Sequence, residues 1–111
     1  MSQSEGLVLL STAPNEDEAR SLARALVGAG LAACVNLVPG VRSIYRWEGE
    51  LCEEGEVLLV IKTTPARREA LIERLTELHS YECPEAIALP IVAGARPYLD
   101  WLHQNTAGGG A

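Results

Sequence analysis

The feature that most constrains this chain is a long extended stretch, Ala32 to Trp47, which turns at Glu48-Gly49 and returns through Glu50 towards Thr63. Glycine tolerates positive φ, so Glu48-Gly49 reads as a tight hairpin turn. The 16 residues of the outward limb would reach about 53 Å if fully extended at ~3.3 Å each. A compact domain of this size has a radius of gyration near ~13 Å, hence a diameter of roughly 34 Å. The limb therefore bends at Pro39-Gly40 or projects beyond its own domain. In its distal half Val41, Ser43, Tyr45 and Trp47 share one face, and Arg42, Ile44 and Arg46 share the other. A two-stranded ribbon is marginal in water when alone, and edge strands invite pairing with another chain. Ile44, Tyr45 and Trp47 are therefore expected at an interface between copies. The alternative is a hairpin that curls over its own core.

The flanking sequence supplies the remaining elements. Leu7 to Thr12 is a short apolar run and reads as a buried strand. Pro14-Asn15 breaks it, and Asn15 with Glu18 matches a capping box. Ala19, Leu22, Ala23 and Leu26 then follow at helical spacing, until Gly28 and Gly30 end the helix. Val57 to Thr63 is strongly β-forming. Thr64-Pro65 opens a second helix, with Leu71, Ile72, Leu75 and Leu78 as its apolar stripe. His79 to Pro84 turns the chain into a strand over Ala86 to Val92, where Pro90 suggests an edge. Pro97 opens a short last helix carrying Tyr98, Leu99, Trp101 and Leu102. The order β-α-β-β-α-β with a C-terminal extra predicts a ferredoxin-like α+β fold, an antiparallel sheet with two helices on one face. Residues 1–111 form one domain in this reading, with an ordered core over about 7–104 and a flexible, glycine-rich tail from Asn105 to Ala111.

Composition narrows the function classes. Of 111 residues 48% are apolar, and none is Phe, so the core is aliphatic. The net charge is −6, and the densest basic stretch is only Arg67-Arg68; a nucleic-acid partner is not expected. Cys34, Cys52 and Cys83 are odd in number, with no CxxC pair, so neither a zinc knuckle nor a disulfide framework is expected. No apolar stretch approaches the ~20 residues that span a bilayer, and the N-terminus does not read as a signal peptide. The expectation is a cytoplasmic protein with no membrane partner. No Ser-His-acid order and no glycine-rich phosphate loop is present, so catalysis is not expected.

Several short segments, in order, carry a resemblance: Ser11-Thr12-Ala13-Pro14, Leu31-Ala32-Ala33-Cys34-Val35-Asn36, Ser43-Ile44-Tyr45-Arg46-Trp47-Glu48-Gly49, Ile61-Lys62-Thr63-Thr64, His79-Ser80-Tyr81-Glu82-Cys83-Pro84-Glu85 and Tyr98-Leu99-Asp100-Trp101. Together they span nearly everything from Leu7 to Leu102 and resemble the CutA divalent-cation-tolerance family. The resemblance implies a ferredoxin-like subunit, a homotrimer with strands pairing between subunits, and a response to divalent metal ions, copper foremost. It also implies a copper site built from a thiol at the end of the first strand and two adjacent histidines after the second helix. Here those positions are Ser11, Leu78 and His79. Hydroxyl and leucine do not replace the soft donors that select copper, so only His79 carries over.

The residues themselves leave alternatives open. His79 with Glu82, Cys83 and Glu85 is a candidate mixed-donor site for Cu(II) or another divalent metal, with no cofactor required. The alternative is that His79 simply caps its helix. Lys62, Tyr81 and Trp47 are candidates for lining a ligand cleft between subunits. That reading would suit a regulatory trimer of the PII kind. The alternative is ordinary packing, with the Lys62 ammonium reaching solvent.

Overall fold

The computed structural model describes residues 5–106. Strand β1 (Leu7–Ala13) is followed by helix α1 (Glu16–Gly28), the long strands β2 (Cys34–Trp47) and β3 (Glu50–Thr63), helix α2 (Arg68–Leu78), the short strand β4 (Ile87–Pro90) and helix α3 (Arg96–Gln104). The strands form one antiparallel sheet in the order β2-β3-β1-β4. This is the expected ferredoxin-like arrangement.

Alternation along β1 and β3 decides which face is covered. Leu7, Leu9, Ser11 and Ala13 are buried, opposite Thr63, Ile61, Leu59 and Val57 in the register. They meet Ala19, Leu22 and Leu26 of α1 and Leu71 and Leu75 of α2 in one aliphatic core. Each such leucine contributes on the order of 1.5–3 kcal/mol by leaving water. The other face, including Leu10, Leu58 and Val60, lies opposite α1 and α2 and stays half-buried.

The start of α1 follows the sequence in part. Asn15 Oδ1 accepts the Glu18 amide at 2.8 Å. The Glu18 carboxylate does not complete a capping box; it accepts the backbone N–H of Ser80 at 2.9 Å and so ties α1 to the loop after α2. Thr64 likewise makes no side-chain cap, and a single 3-10 turn, Pro65–Arg67, precedes α2.

The hairpin both bends and projects. Val38 pairs with Leu58 and Val41 with Glu56, so β2 has one residue too many at Pro39-Gly40. Gly40, at φ 80°, provides the left-handed backbone of this bulge. The extra residue exchanges the faces of β2. Beyond it, Val41, Ser43, Tyr45 and Trp47 lie with Glu56, Glu54, Cys52 and Glu50 on the side of the sheet opposite α1 and α2. The radius of gyration is 14.6 Å and the longest axis 43 Å against 27 and 22 Å, larger than a compact domain of this size.

The last strand is shorter than the Ala86–Val92 run. Pro90 has no N–H to donate, and strand pairing with β1 ends at Leu7 opposite Pro90, with one further bond from the Ile91 amide to Gly6 O at 3.0 Å. The flexible tail expected from Asn105 is corrected at its start. Thr106 is buried, its hydroxyl 3.3 Å from that of Thr64, and its carbonyl accepts the Arg67 guanidinium at 2.7 Å. The expectation for residues 107–111 lies outside the described residues.

Candidate functional site: a groove beneath the hairpin

His79 organises the loop that closes one side of the site. Its backbone amide donates to Leu75 O and ends α2. Its ring is fully buried. The Tyr81 amide donates to Nδ1 at 3.0 Å, so Nδ1 carries no hydrogen and Nε2 donates to Thr12 O at 2.7 Å. The ring also lies 4.7 Å from the Tyr81 ring, centre to centre, and 3.5 Å from the Glu18 carboxylate.

Tyr81 carries the connection to the hairpin. Its hydroxyl donates to Glu56 Oε2 at 2.6 Å, and Ser43 donates to Glu56 Oε1 at the same distance. A continuous chain of hydrogen bonds thus links β1, the end of α2, β3 and β2. Burial, then the Glu56 carboxylate, pushes the Tyr81 phenol well above its ordinary value. Burial and Glu54 raise the Tyr45 phenol as well.

These residues enclose a groove of about 720 Å³. The hairpin contributes Ser43, Ile44, Tyr45, Trp47, Glu54 and Glu56; the loop contributes Ser80, Tyr81, Glu82, Cys83 and Glu85; Thr12 closes the end of β1. Four carboxylates and three aromatic rings line it, without a lysine or arginine.

The structure therefore brings together only part of the sequence-based sites. Tyr81 and Trp47 share the groove, but Lys62 does not line it. Lys62 lies six residues along β3 from Glu56, about 20 Å away, opposite Val8 and Cys34. Its ammonium donates to Asn36 Oδ1 and lies 3.9 Å from Cys34 Sγ. His79, Glu82 and Cys83 do not converge either. Both ring nitrogens of His79 are engaged, and no three His, Cys, Asp or Glu residues form a metal-binding group among the described residues. The expected interface residues Ile44, Tyr45 and Trp47 all line the groove, and Ile44 is 64% exposed. The hydrogen-bond role of Glu56 was not legible in the sequence. The one available signal was its position diagonal to Ser43 across the hairpin.

The family model for CutA1, described as a divalent ion tolerance protein, matches residues 7–105. A divalent-cation tolerance protein CutA of Thermus thermophilus is 56% identical over 99 residues, 89% of this chain and 96% of that one. The chain belongs to the CutA1 divalent ion tolerance family.

Solved CutA structures agree with the fold. The one from Thermus thermophilus superposes with a TM-score of 0.89 at 54% identity, covering 91% of this chain and 98% of that one. The one from Xylella fastidiosa gives 0.91 at 40% identity, covering 93% and 99%. Mouse protein CutA is 50% identical, covering 86% of this chain; this chain spans only about half the length of that relative, 54%. CutA relatives from Arabidopsis thaliana and Oryza sativa are named as chloroplastic and one CutA structure as periplasmic, so family membership does not carry the cytoplasmic expectation. Among the described residues no helix is long and apolar enough to cross a membrane. The PII-like alternative finds no support in these matches.

The copper positions implied by the CutA resemblance can be tested against this chain. Ser11 is buried on the helix-covered face, with its hydroxyl unpartnered. Leu78 offers no donor atom, and the nitrogens of His79 are both engaged. These three residues do not fit copper.

Proposed function

We propose that this protein is a non-catalytic homotrimer of the cellular response to divalent cations, and that its own affinity for metal is weak. The observation that carries the reading is the bare sheet face. Leu10, Leu58 and Val60 are half-buried there, and Ile87 and Leu89 are 52% and 46% exposed. Strands β2 and β4 are the open edges of the same sheet. A closed ring of copies covers such a face and pairs such edges, and the projecting hairpin reaches a neighbour. Glu82 and Cys83, in the exposed loop after α2, are the donors that remain for a divalent ion. One soft thiol with carboxylate oxygens has little selectivity for copper. The three free thiols suit a reducing compartment such as the cytoplasm.

Sedimentation equilibrium, followed by calorimetric titration with Cu(II) and Zn(II), tests both halves. A three-chain species with no saturating copper uptake at micromolar metal is expected. A monomer, or a stoichiometric tight copper site, overturns the reading.

A further inference from the structure

We propose that the groove beneath the hairpin is filled, in the assembly, by the hairpin of a second copy of this chain, whose Arg42 and Arg46 meet the carboxylates of Glu54 and Glu85. This contact rests on the homotrimer reading and supplies the two patches that close the ring. A self-complementary patch joins two copies and stops; a ring of three needs two different patches that fit each other. The groove is one of them. Glu54 stands on its hairpin wall and Glu85 on its loop wall, both exposed, and no lysine or arginine lines it. Glu56 is already committed to the Ser43 and Tyr81 hydroxyls at 2.6 Å each, which holds the two walls together. Tyr45 and Trp47, 38% and 46% exposed in the single chain, are the apolar surface that such an occupant covers.

The second patch is the outer side of the same hairpin. Arg42 lies opposite Gly55 and Arg46 opposite Leu51, on the side away from Tyr45 and Trp47. Leu51 is 70% exposed and adds an apolar contact between the charges. Arg42 and Arg46 are the only basic residues from Val41 to Glu56. The part of the chain that projects from the body thus carries its cations on one side. Their partners within the chain hold them weakly. Arg42 lies 3.8 Å from Glu53, with both side chains mostly exposed, and Arg46 donates to Gly49 O at 3.3 Å. Exposed pairs of this kind contribute little and are given up easily. Arg67, Arg74 and Arg96, by contrast, are held in their own subunit by Thr106 O, Glu77 and Glu5. A guanidinium suits the groove in two ways, because it pairs with carboxylates and stacks on aromatic faces.

Sedimentation velocity on the full chain tests the contact by charge reversal. Arg42→Glu and Arg46→Glu together set like charges against the groove. A shift to smaller species is expected, with the dissociation constant of each contact raised by about 30-fold or more. Glu54→Arg with Glu85→Arg does the same from the other side. All four changes in one chain set opposite charges against each other again, and the three-chain species returns. Far-UV circular dichroism reports the fold of each variant. If a reversal misfolds, the neutral pair Arg42→Gln and Arg46→Gln carries the test: it weakens the assembly and flattens its salt dependence. A wild-type trimer that neither the reversals nor the neutral pair moves, or a folded quadruple variant that stays dissociated, overturns this contact and leaves the trimer standing. A monomeric wild-type chain overturns the homotrimer reading and the contact with it.

Discussion

At the scale of single residues, two polar side chains show how burial acts in opposite directions. Ser11 points into the aliphatic core with no partner for its hydroxyl. A buried orphan of this kind costs about 1–3 kcal/mol. Ser11→Ala removes it with little loss of volume, so the variant is expected to be more stable by about 1 kcal/mol, read as a higher Tm in thermal unfolding. An unchanged or lower Tm would mean the hydroxyl is satisfied. Tyr81 is the paired case: burial and Glu56 favour its neutral form. In the unfolded chain the phenol titrates near ~10; in the folded protein it titrates higher. Between those values the folded state holds the extra proton, so the contribution is complete below pH ~10 and stability falls as pH rises through the window. Denaturant unfolding across alkaline pH is expected to show this decline in the native chain and a shallower one in Tyr81→Phe. Residue identity alone made Tyr81 a candidate. It could not separate Lys62 from it, because Glu56, the partner that anchors Tyr81 and lies about 20 Å along β3 from Lys62, was not legible as one. Nor could it show that a backbone amide and a carbonyl consume both nitrogens of His79.

At the scale of elements, the hairpin was the most legible part of the chain and the bulge within it the most consequential. Pro39-Gly40 marked an interruption in the sequence. Only the register shows that it adds one residue to β2 and turns Tyr45 and Trp47 away from the helices, towards the groove. At Gly40, φ is 80° and an added Cβ would meet nothing within 4 Å. Gly40→Ala is therefore a clean backbone test: it is expected to cost about 1–2 kcal/mol through left-handed strain alone, measured by urea unfolding. A loss much larger than that would mean the bulge itself had been lost. The helices were legible for simpler reasons. Asn15 breaks β1 and caps α1, and Leu22, Leu26, Leu71 and Leu75 mark buried faces by their spacing. The limits of β4 and the fate of Thr106 were not legible, since each depends on partners distant in sequence, Leu7 for one and Thr64 with Arg67 for the other.

At the scale of the whole molecule, the sheet asks for a partner that one chain does not supply. Both helices that build the core lie on one face, and the chain ends its ladder on β4 with Ile87 and Leu89 in partial contact with solvent. The two readings of the bare face differ in what a charge there would do. If the face meets only water, Leu89→Glu replaces a half-exposed apolar side chain with a solvated one, and stability changes by no more than ~0.5 kcal/mol. If copies cover the face, the same change buries an unpaired carboxylate at each of the symmetric contacts, a cost large enough to dissociate the assembly. We expect the second outcome: sedimentation velocity should show Leu89→Glu shifted to smaller species, with far-UV circular dichroism retaining the helix and strand signal of the folded subunit. An assembly that survives the substitution would place the contact elsewhere, on the Ile44 side of the hairpin.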